Sequence, residues 1–116
     1  MKKIYHLATC QTCKKIIAEV KPGKDVILQN IKEETITPAQ LDEMKALAGS
    51  YDALFTKRSR KFQEWNLKDK TLTEKDKRDL ILKEYTFLKR PVFIIKNSIF
   101  IGNAKATVEG IKKAIK

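Results

Sequence analysis

Cys10 and Cys13 are the residues of this chain best suited to covalent chemistry, and they stand in a Cys-x-x-Cys spacing. A pair so spaced is built to cycle between dithiol and disulfide. Two other uses fit less well. A tetrahedral metal site needs two more ligands, and His6 is the single histidine, so no metal is expected. A purely structural disulfide across so short a loop would close little chain and add little stability.

Reactivity at neutral pH requires a thiolate, and the surrounding elements supply the means. Residues 3–8 read as a short strand, Thr9 to Cys13 as a turn, and Cys13 to about Val20 as a helix whose apolar face is Ile16, Ile17 and Val20. Cys10 therefore falls at a helix N-terminus, where amides and dipole favour an anion, and Lys14 and Lys15 add positive charge. A free thiol near pKa 8.5 falls to about 3.5–7 in such settings. Cys10 is the expected nucleophile. Cys13, one turn further and less exposed, is the candidate resolving thiol. His6, four residues before Cys10, is a candidate for tuning that thiol, with simple packing as the alternative.

The rest of the chain reads as the frame for this site. Lys21-Pro22-Gly23 stops the first helix, and residues 26–31 are β-rich, so the first thirty residues spell strand, helix, parallel strand. Thr37-Pro38 opens a helix with Leu41, Met44, Leu47 and Ala48 inward, closed by Gly49. Residues 58–65 form a short basic helix with Phe62 and Trp65 on one face, and residues 51–55 match no element clearly. Thr73 to Asp76 resembles a capping box for a helix carrying Leu80, Ile81 and Tyr85 inward. Residues 87–91 read as a turn. Val92–Ile95 and Ile99–Ile101 form a hairpin across Lys96-Asn97-Ser98, and an amphipathic helix spans about 105–115 with Val108, Ile111 and Ile115 inward. The order β-α-β, helices, β-β-α predicts an α/β fold around a small mixed sheet.

At 116 residues the chain is one domain in length, and its 42% hydrophobic content suffices for a core. No apolar run is long enough to span a membrane, and no signal-peptide h-region follows Met1, so no membrane association and a cytoplasmic location are expected. The net charge is +11, with 8 basic and 7 acidic side chains in residues 1–56 and 17 and 7 in residues 57–116. A basic second half fits an anionic partner or a lysine-rich solvated surface. Within it, Lys57-Arg58-Ser59-Arg60-Lys61 and Lys89-Arg90-Pro91 offer guanidinium forks suited to tetrahedral oxyanions. No helix-turn-helix or zinc-finger signature points to direct DNA binding.

Four landmarks in order carry a family resemblance: Ile4-Tyr5-His6 with Cys10-x-x-Cys13-Lys14, Leu54 to Ser59, Leu88-Lys89-Arg90-Pro91-Val92, and Ile101-Gly102. Together they resemble the arsenate reductase family, which also includes the Spx-type redox regulators. The stretch Thr56-Lys57-Arg58-Ser59 with Phe62-Gln63 is more similar to the Spx branch, and the His6 to Cys10 spacing to the glutaredoxin-linked reductases. The resemblance implies a thioredoxin-like fold, with a four-stranded mixed sheet and a helical insertion at about 37–86 within a single domain, 1–116. It implies Cys10 as nucleophile, Arg90 and Arg58 (or Arg60) as substrate-binding arginines, and Pro91 as a cis-proline facing the thiol. One departure stands out: where the family carries a third arginine after Gly102, this chain reads Asn103-Ala104-Lys105, and a lysine is a point charge rather than a fork.

Three functions follow as expectations. One is arsenate reduction through a Cys10 adduct, with glutathione as co-substrate and glutaredoxin or thioredoxin as reductant, or with Cys13 as internal thiol. Another is a redox-sensing regulator that binds RNA polymerase. The last is a general glutathione-linked thiol reductase. No bound cofactor and a monomeric state are expected in each case.

Overall fold

A computed structural model describes residues 2–115. They divide into two compact units, one formed by residues 2–35 with 90–115 and the other by residues 36–89.

The first unit is a four-stranded sheet with two helices on one face. The elements are β1 (Lys2–His6), α1 (Gln11–Val20), β2 (Val26–Asn30) and, after the other unit, β3 (Val92–Ile95), β4 (Ser98–Ile101) and α5 (Lys105–Ile115). The strand order is β2-β1-β3-β4. β1 and β2 are parallel, with Lys2 opposite Val26 and His6 opposite Asn30, because α1 carries the chain back between them. β3 lies antiparallel to β1, and β4 antiparallel to β3 across a two-residue turn in which Lys96 takes a positive φ of 56°. All four β3 residues are buried, which explains their unbroken apolar run. Ile4, Phe93 and Ile95 of the sheet meet Ile16 and Val20 of α1 and Val108 and Ile111 of α5 in one core cluster. This is a mixed α/β sheet of thioredoxin-like form.

The second unit holds α2 (Pro38–Ala48), a 3-10 turn at Asp52–Leu54, α3 (Arg60–Glu64), α4 (Glu74–Lys83) and a second 3-10 turn at Tyr85–Phe87. Capping boxes start both longer helices: Thr37 with Gln40, and Thr73 with Asp76. Gly49 ends α2 at φ 96°, a left-handed position that suits glycine. The core combines Leu41, Met44 and Ile81 with Leu54, Phe62 and an aromatic pair, Phe55 stacked on Phe87 at 5.3 Å. On the surface, Arg78 Nε and Nη2 donate to the two oxygens of Asp42, and the Tyr51 hydroxyl donates to the same carboxylate at 2.6 Å.

Several local expectations change. α1 begins at Gln11 rather than Cys13, because the Cys10 sulfur caps it. Residues 87–91 are not a simple turn: Phe87 and Leu88 are buried, and Leu88 pairs with Phe55 in an isolated antiparallel bridge. Tyr85 lies beyond the end of α4 and is only half-buried. By unit of the fold, the charge excess divides differently from its division by halves of the sequence. The sheet unit carries 13 basic and 5 acidic side chains, a balance of +8, and the helical unit 12 and 9, a balance of +3. Alternating segments of the chain return to the sheet unit, so a count by halves divides its charge. Among the described residues no helix is long and apolar enough to cross a membrane.

Candidate active site

The chain leaves β1 at His6 and turns tightly, the Cys10 N–H donating to the Leu7 carbonyl at 2.9 Å. Cys10 then stands at the N-cap of α1 with extended backbone, and its carbonyl accepts the first helical bond from Lys14 N–H at 3.1 Å. Serine, threonine, asparagine or aspartate normally holds this position. Here the Cys10 Sγ takes that part, accepting the Cys13 N–H at 3.4 Å. Sulfur accepts weakly when neutral and strongly when ionised, so the geometry rewards the thiolate.

The electrostatics follow from that placement. Partial burial pushes the Cys10 thiol up. Bonds from the Cys13 backbone and side chain, the positive Arg90 and the Thr12 amide outweigh it, and the pKa lies below the ordinary 9.0. Cys13 behaves in the opposite way. It is fully buried, and that burial, reinforced by Cys10, pushes its thiol up to about 11 despite backbone bonding at Leu7 and the pull of Arg90. Both cysteines are free thiols. Two chemically identical side chains three residues apart are thus differentiated, Cys10 ionising more easily and Cys13 less easily than an ordinary thiol.

Arg90 sits at the junction where the chain re-enters the sheet unit, close enough to Cys10 for its charge to favour the thiolate. The Arg90–Pro91 peptide bond is cis. The Pro91 carbonyl accepts the Gly102 N–H at 3.0 Å, tying this junction to the end of β4. Lys105 is the exposed first residue of α5. It shares a cavity of about 350 Å³ with Thr12, Lys15, Ile16 and Glu19 of α1 and Asn103, Val108 and Glu109. His6 pairs with Asn30 in the sheet, and burial lowers its pKa from 6.5. That burial favours the neutral imidazole.

Cys10, Cys13, Arg90, Pro91, Lys105 and His6 all belong to the sheet unit, whereas Arg58 belongs to the helical unit. Arg58 is exposed, its N–H donating to Thr56 Oγ1 at 3.2 Å. Its neighbour Ser59 is buried, caps α3 and hydrogen-bonds Thr86 at 2.7 Å, which in turn donates to Glu84. That relay fixes the turn carrying Arg58. Its one signature in the sequence is a serine directly before a helical pattern. The Thr12 amide also favours the thiolate, a backbone contribution that carries no side-chain signal in the sequence. Among the described residues no group of three His, Cys, Asp or Glu side chains is placed to hold a metal ion.

Residues 5–111 match the ArsC family. No curated protein sequence matches the chain. Among solved structures, the arsenate reductase from Vibrio cholerae is similar with a TM-score of 0.78 at 16% identity, over 97% of this chain and 96% of that one. An arsenate reductase (ArsC) related protein from Brucella melitensis gives 0.70 at 21%, over 94% and 92%. SACOL0876 from Staphylococcus aureus COL gives 0.73 at 27%, over 95% and 97%. At the identities of the first two, the likeness is one of fold.

Proposed function

Starting from the fact that this chain belongs to the ArsC family, we propose that it is an arsenate-reductase-like thiol oxidoreductase with Cys10 as its nucleophile. The observation that carries this reading is the Cys10 sulfur itself, which caps α1 and lies within the influence of Arg90. The Cys10 thiolate attacks the arsenic of arsenate, a protonated arsenate oxygen leaves as water, and a Cys10–S–As(V) adduct forms. A glutathione thiolate then attacks Cys10 Sγ. The S–As electron pair stays with arsenic, which leaves as arsenite, and a Cys10–glutathione mixed disulfide remains. Glutaredoxin with a second glutathione returns Cys10 to the thiolate, so two thiols become one disulfide for each arsenate reduced. Arg90 holds the oxyanion beside the Cys10 thiolate, with Lys105 as a further positive group of the same unit.

An external thiol is favoured over Cys13 for the second step. A buried thiol with a pKa of about 11 supplies little thiolate at neutral pH, and exchange rate follows thiolate fraction. Lys105 supports a second reading, a general glutathione-linked disulfide reductase, because a lysine lacks the fork that fits a tetrahedral oxyanion.

The test is arsenate reduction supplied in parallel with glutathione–glutaredoxin and with thioredoxin. Arg90→Ala should abolish turnover with the fold intact. Lys105→Arg should improve it, by up to the ~1–3 kcal/mol of a charged hydrogen bond. Unchanged turnover in Arg90→Ala refutes the arsenate reading. Thiol-dependent disulfide reduction without any arsenate reduction would leave the second reading in its place.

A further inference from the structure

The four-stranded sheet has two edges, and they differ. β4 keeps Ile99, Phe100 and Ile101 partly buried. β2 leaves its apolar residues open: among the described residues, Ile27 and Leu28 are the large apolar side chains that stay exposed, at 52% and 51%. Edge strands normally guard against pairing with a lysine, a proline or a bulge. Residues 26–30, Val-Ile-Leu-Gln-Asn, contain no charge and no proline, and their register against β1 runs unbroken. The flanking charges cancel as well. Within a chain of net charge +11, residues 21–35 carry three basic and three acidic side chains.

The main chain of this edge has a pattern of its own. The Ile31 N–H donates to the His6 carbonyl at 2.9 Å. In the parallel ladder, Ile27, Gln29 and Ile31 therefore bond towards β1, while Val26, Leu28 and Asn30 turn their amides and carbonyls outward. Two of those outward groups are satisfied within the chain. The Val26 N–H donates to the Gly23 carbonyl at 3.3 Å, and the Asn30 carbonyl accepts the Glu33 and Glu34 N–H groups at 3.1 and 2.8 Å. The Val26 carbonyl, the Leu28 N–H and carbonyl, and the Asn30 N–H have no partner among the described residues. This set is symmetric about Leu28. A second such strand, turned antiparallel with Leu28 opposite Leu28, matches it group for group. The two Leu28 residues exchange both bonds, and the Asn30 N–H of each copy meets the Val26 carbonyl of the other. The groups already closed at each end admit only a strand equally short, which favours a second copy over a longer foreign peptide.

We propose that β2 is a self-association edge, pairing antiparallel with β2 of a second copy about a two-fold axis at Leu28. The Leu28 side chains then stand directly opposite each other, and the two Ile27 side chains are diagonal neighbours on the other face. So short a seam buries less than the ~1,200 Å² of a stable complex, so the dimer is weak and the single chain prevails in dilute solution. Charge tunes it. The same register brings Lys24 of each copy towards Lys32 of the other, so salt strengthens the pairing. β1 runs parallel to β2, so the two copies carry their Cys10 sites at opposite ends of the joined sheet. Neither copy completes the other's site, and the pairing is independent of the thiol chemistry.

Amide spectra of the isotope-labelled protein from about 0.02 to about 1 mM, with sedimentation velocity over the same range, test this. Raising the concentration should shift the Leu28 and Asn30 amides, which become donors across the seam, and the sedimentation coefficient should rise. Leu28→Lys sets two like charges against each other at the axis and should remove both effects. Its other amide signals should stay in place, because Leu28 is exposed. Lys24→Glu turns two repulsions into attractions and should tighten the dimer severalfold, up to about tenfold, at low salt. That gain should fade as salt is raised. A monomer unchanged at the highest concentration, dimerisation that survives Leu28→Lys, or weaker pairing in Lys24→Glu would overturn the proposal. So would shifts at Leu28 and Asn30 that appear only on adding an unrelated extended peptide, since that result gives the edge to a foreign strand.

Discussion

The division of labour between Cys10 and Cys13 can be measured by alkylation with iodoacetamide as pH is varied. Cys13 titrates near 11, so at pH 8 only about one molecule in a thousand carries its thiolate. Cys10 titrates below 9.0, so at the same pH its thiolate fraction is at least roughly a tenth. The ratio of thiolate populations is therefore at least about a hundredfold. Intrinsic nucleophilicity works against this, since a less acidic thiol gives a stronger nucleophile; a Brønsted slope of about 0.4–0.5 over two or more pK units returns roughly tenfold. A net preference of about tenfold or more for Cys10 remains before access is considered, and full burial of Cys13 widens it. Mass spectrometry of quenched samples between pH 6 and about 9.5 gives both rates. Arg90→Gln should move the Cys10 rate profile to higher pH, because it removes a positive charge that favours the thiolate. Equal rates for the two cysteines, or a Cys10 profile centred above 9.0, would refute the assignment of a thiolate cap.

Other consequences concern stability and titration. Cys13 is raised in the folded state, so the unfolded chain loses this proton first: its contribution is fully present below pH 9.0 and is lost as pH rises towards about 11. The stability difference between wild type and Cys13→Ala should therefore shrink over that window, by up to about 2.7 kcal/mol for two pK units, in urea unfolding at stepped pH. The Tyr51 phenol should titrate above 10.0, because its hydroxyl donates to Asp42, and Asp42→Asn should bring it back down in an ultraviolet titration. Asp42 itself, held near 2 by Arg78 and Tyr51, should keep the α2–α4 link intact until pH falls from 3.8 towards that value, which amide exchange in the helical unit can follow. A Cβ at Gly110 would meet Phe100 Cε1 at 3.0 Å, so Gly110→Ala alone should change stability little. Combined with Phe100→Leu, it should recover the ~1 kcal/mol helix preference of alanine over glycine relative to Phe100→Leu alone, as thermal unfolding would show.

Much of this arrangement was legible in the sequence where a local pattern and its cause coincide. Thr37-Pro38 and Thr73 to Asp76 announce helix starts because the capping groups lie within four residues. The parallel pairing of β1 and β2 follows from a strand, a helix and a strand in immediate succession. What escaped depends on partners distant in the chain. One exception is local: cysteine is not among the usual N-caps, so the sequence pattern puts the start of α1 two residues late. Leu88 gave no strand signal, because its one-residue bridge to Phe55 is set by the fold of the helical unit. The cavity between α1 and α5 was invisible for the same reason: Glu19 and Lys112 lie 93 positions apart and meet only because α1 and α5 share a face of the sheet. Cys10 and Arg90, eighty positions apart, could be connected only through the family pattern.

The sulfur cap of α1 makes the chemical state of Cys10 a property of the helix as well as of the site. Any covalent modification of the sulfur removes the anion that the Cys13 N–H points at, frees a backbone donor and loosens the first turn. The exchange rate of the Cys13 amide thereby becomes a built-in reporter on how far the cysteine has reacted, readable without any label on the substrate. The same bond governs the choice of an inert control. Cys10→Ser keeps an acceptor at the cap and should preserve the helix start, whereas Cys10→Ala removes it at a cost of about 0.5–2 kcal/mol. A loss of activity in the alanine variant would mix chemistry with structure; in the serine variant it would report the missing sulfur alone.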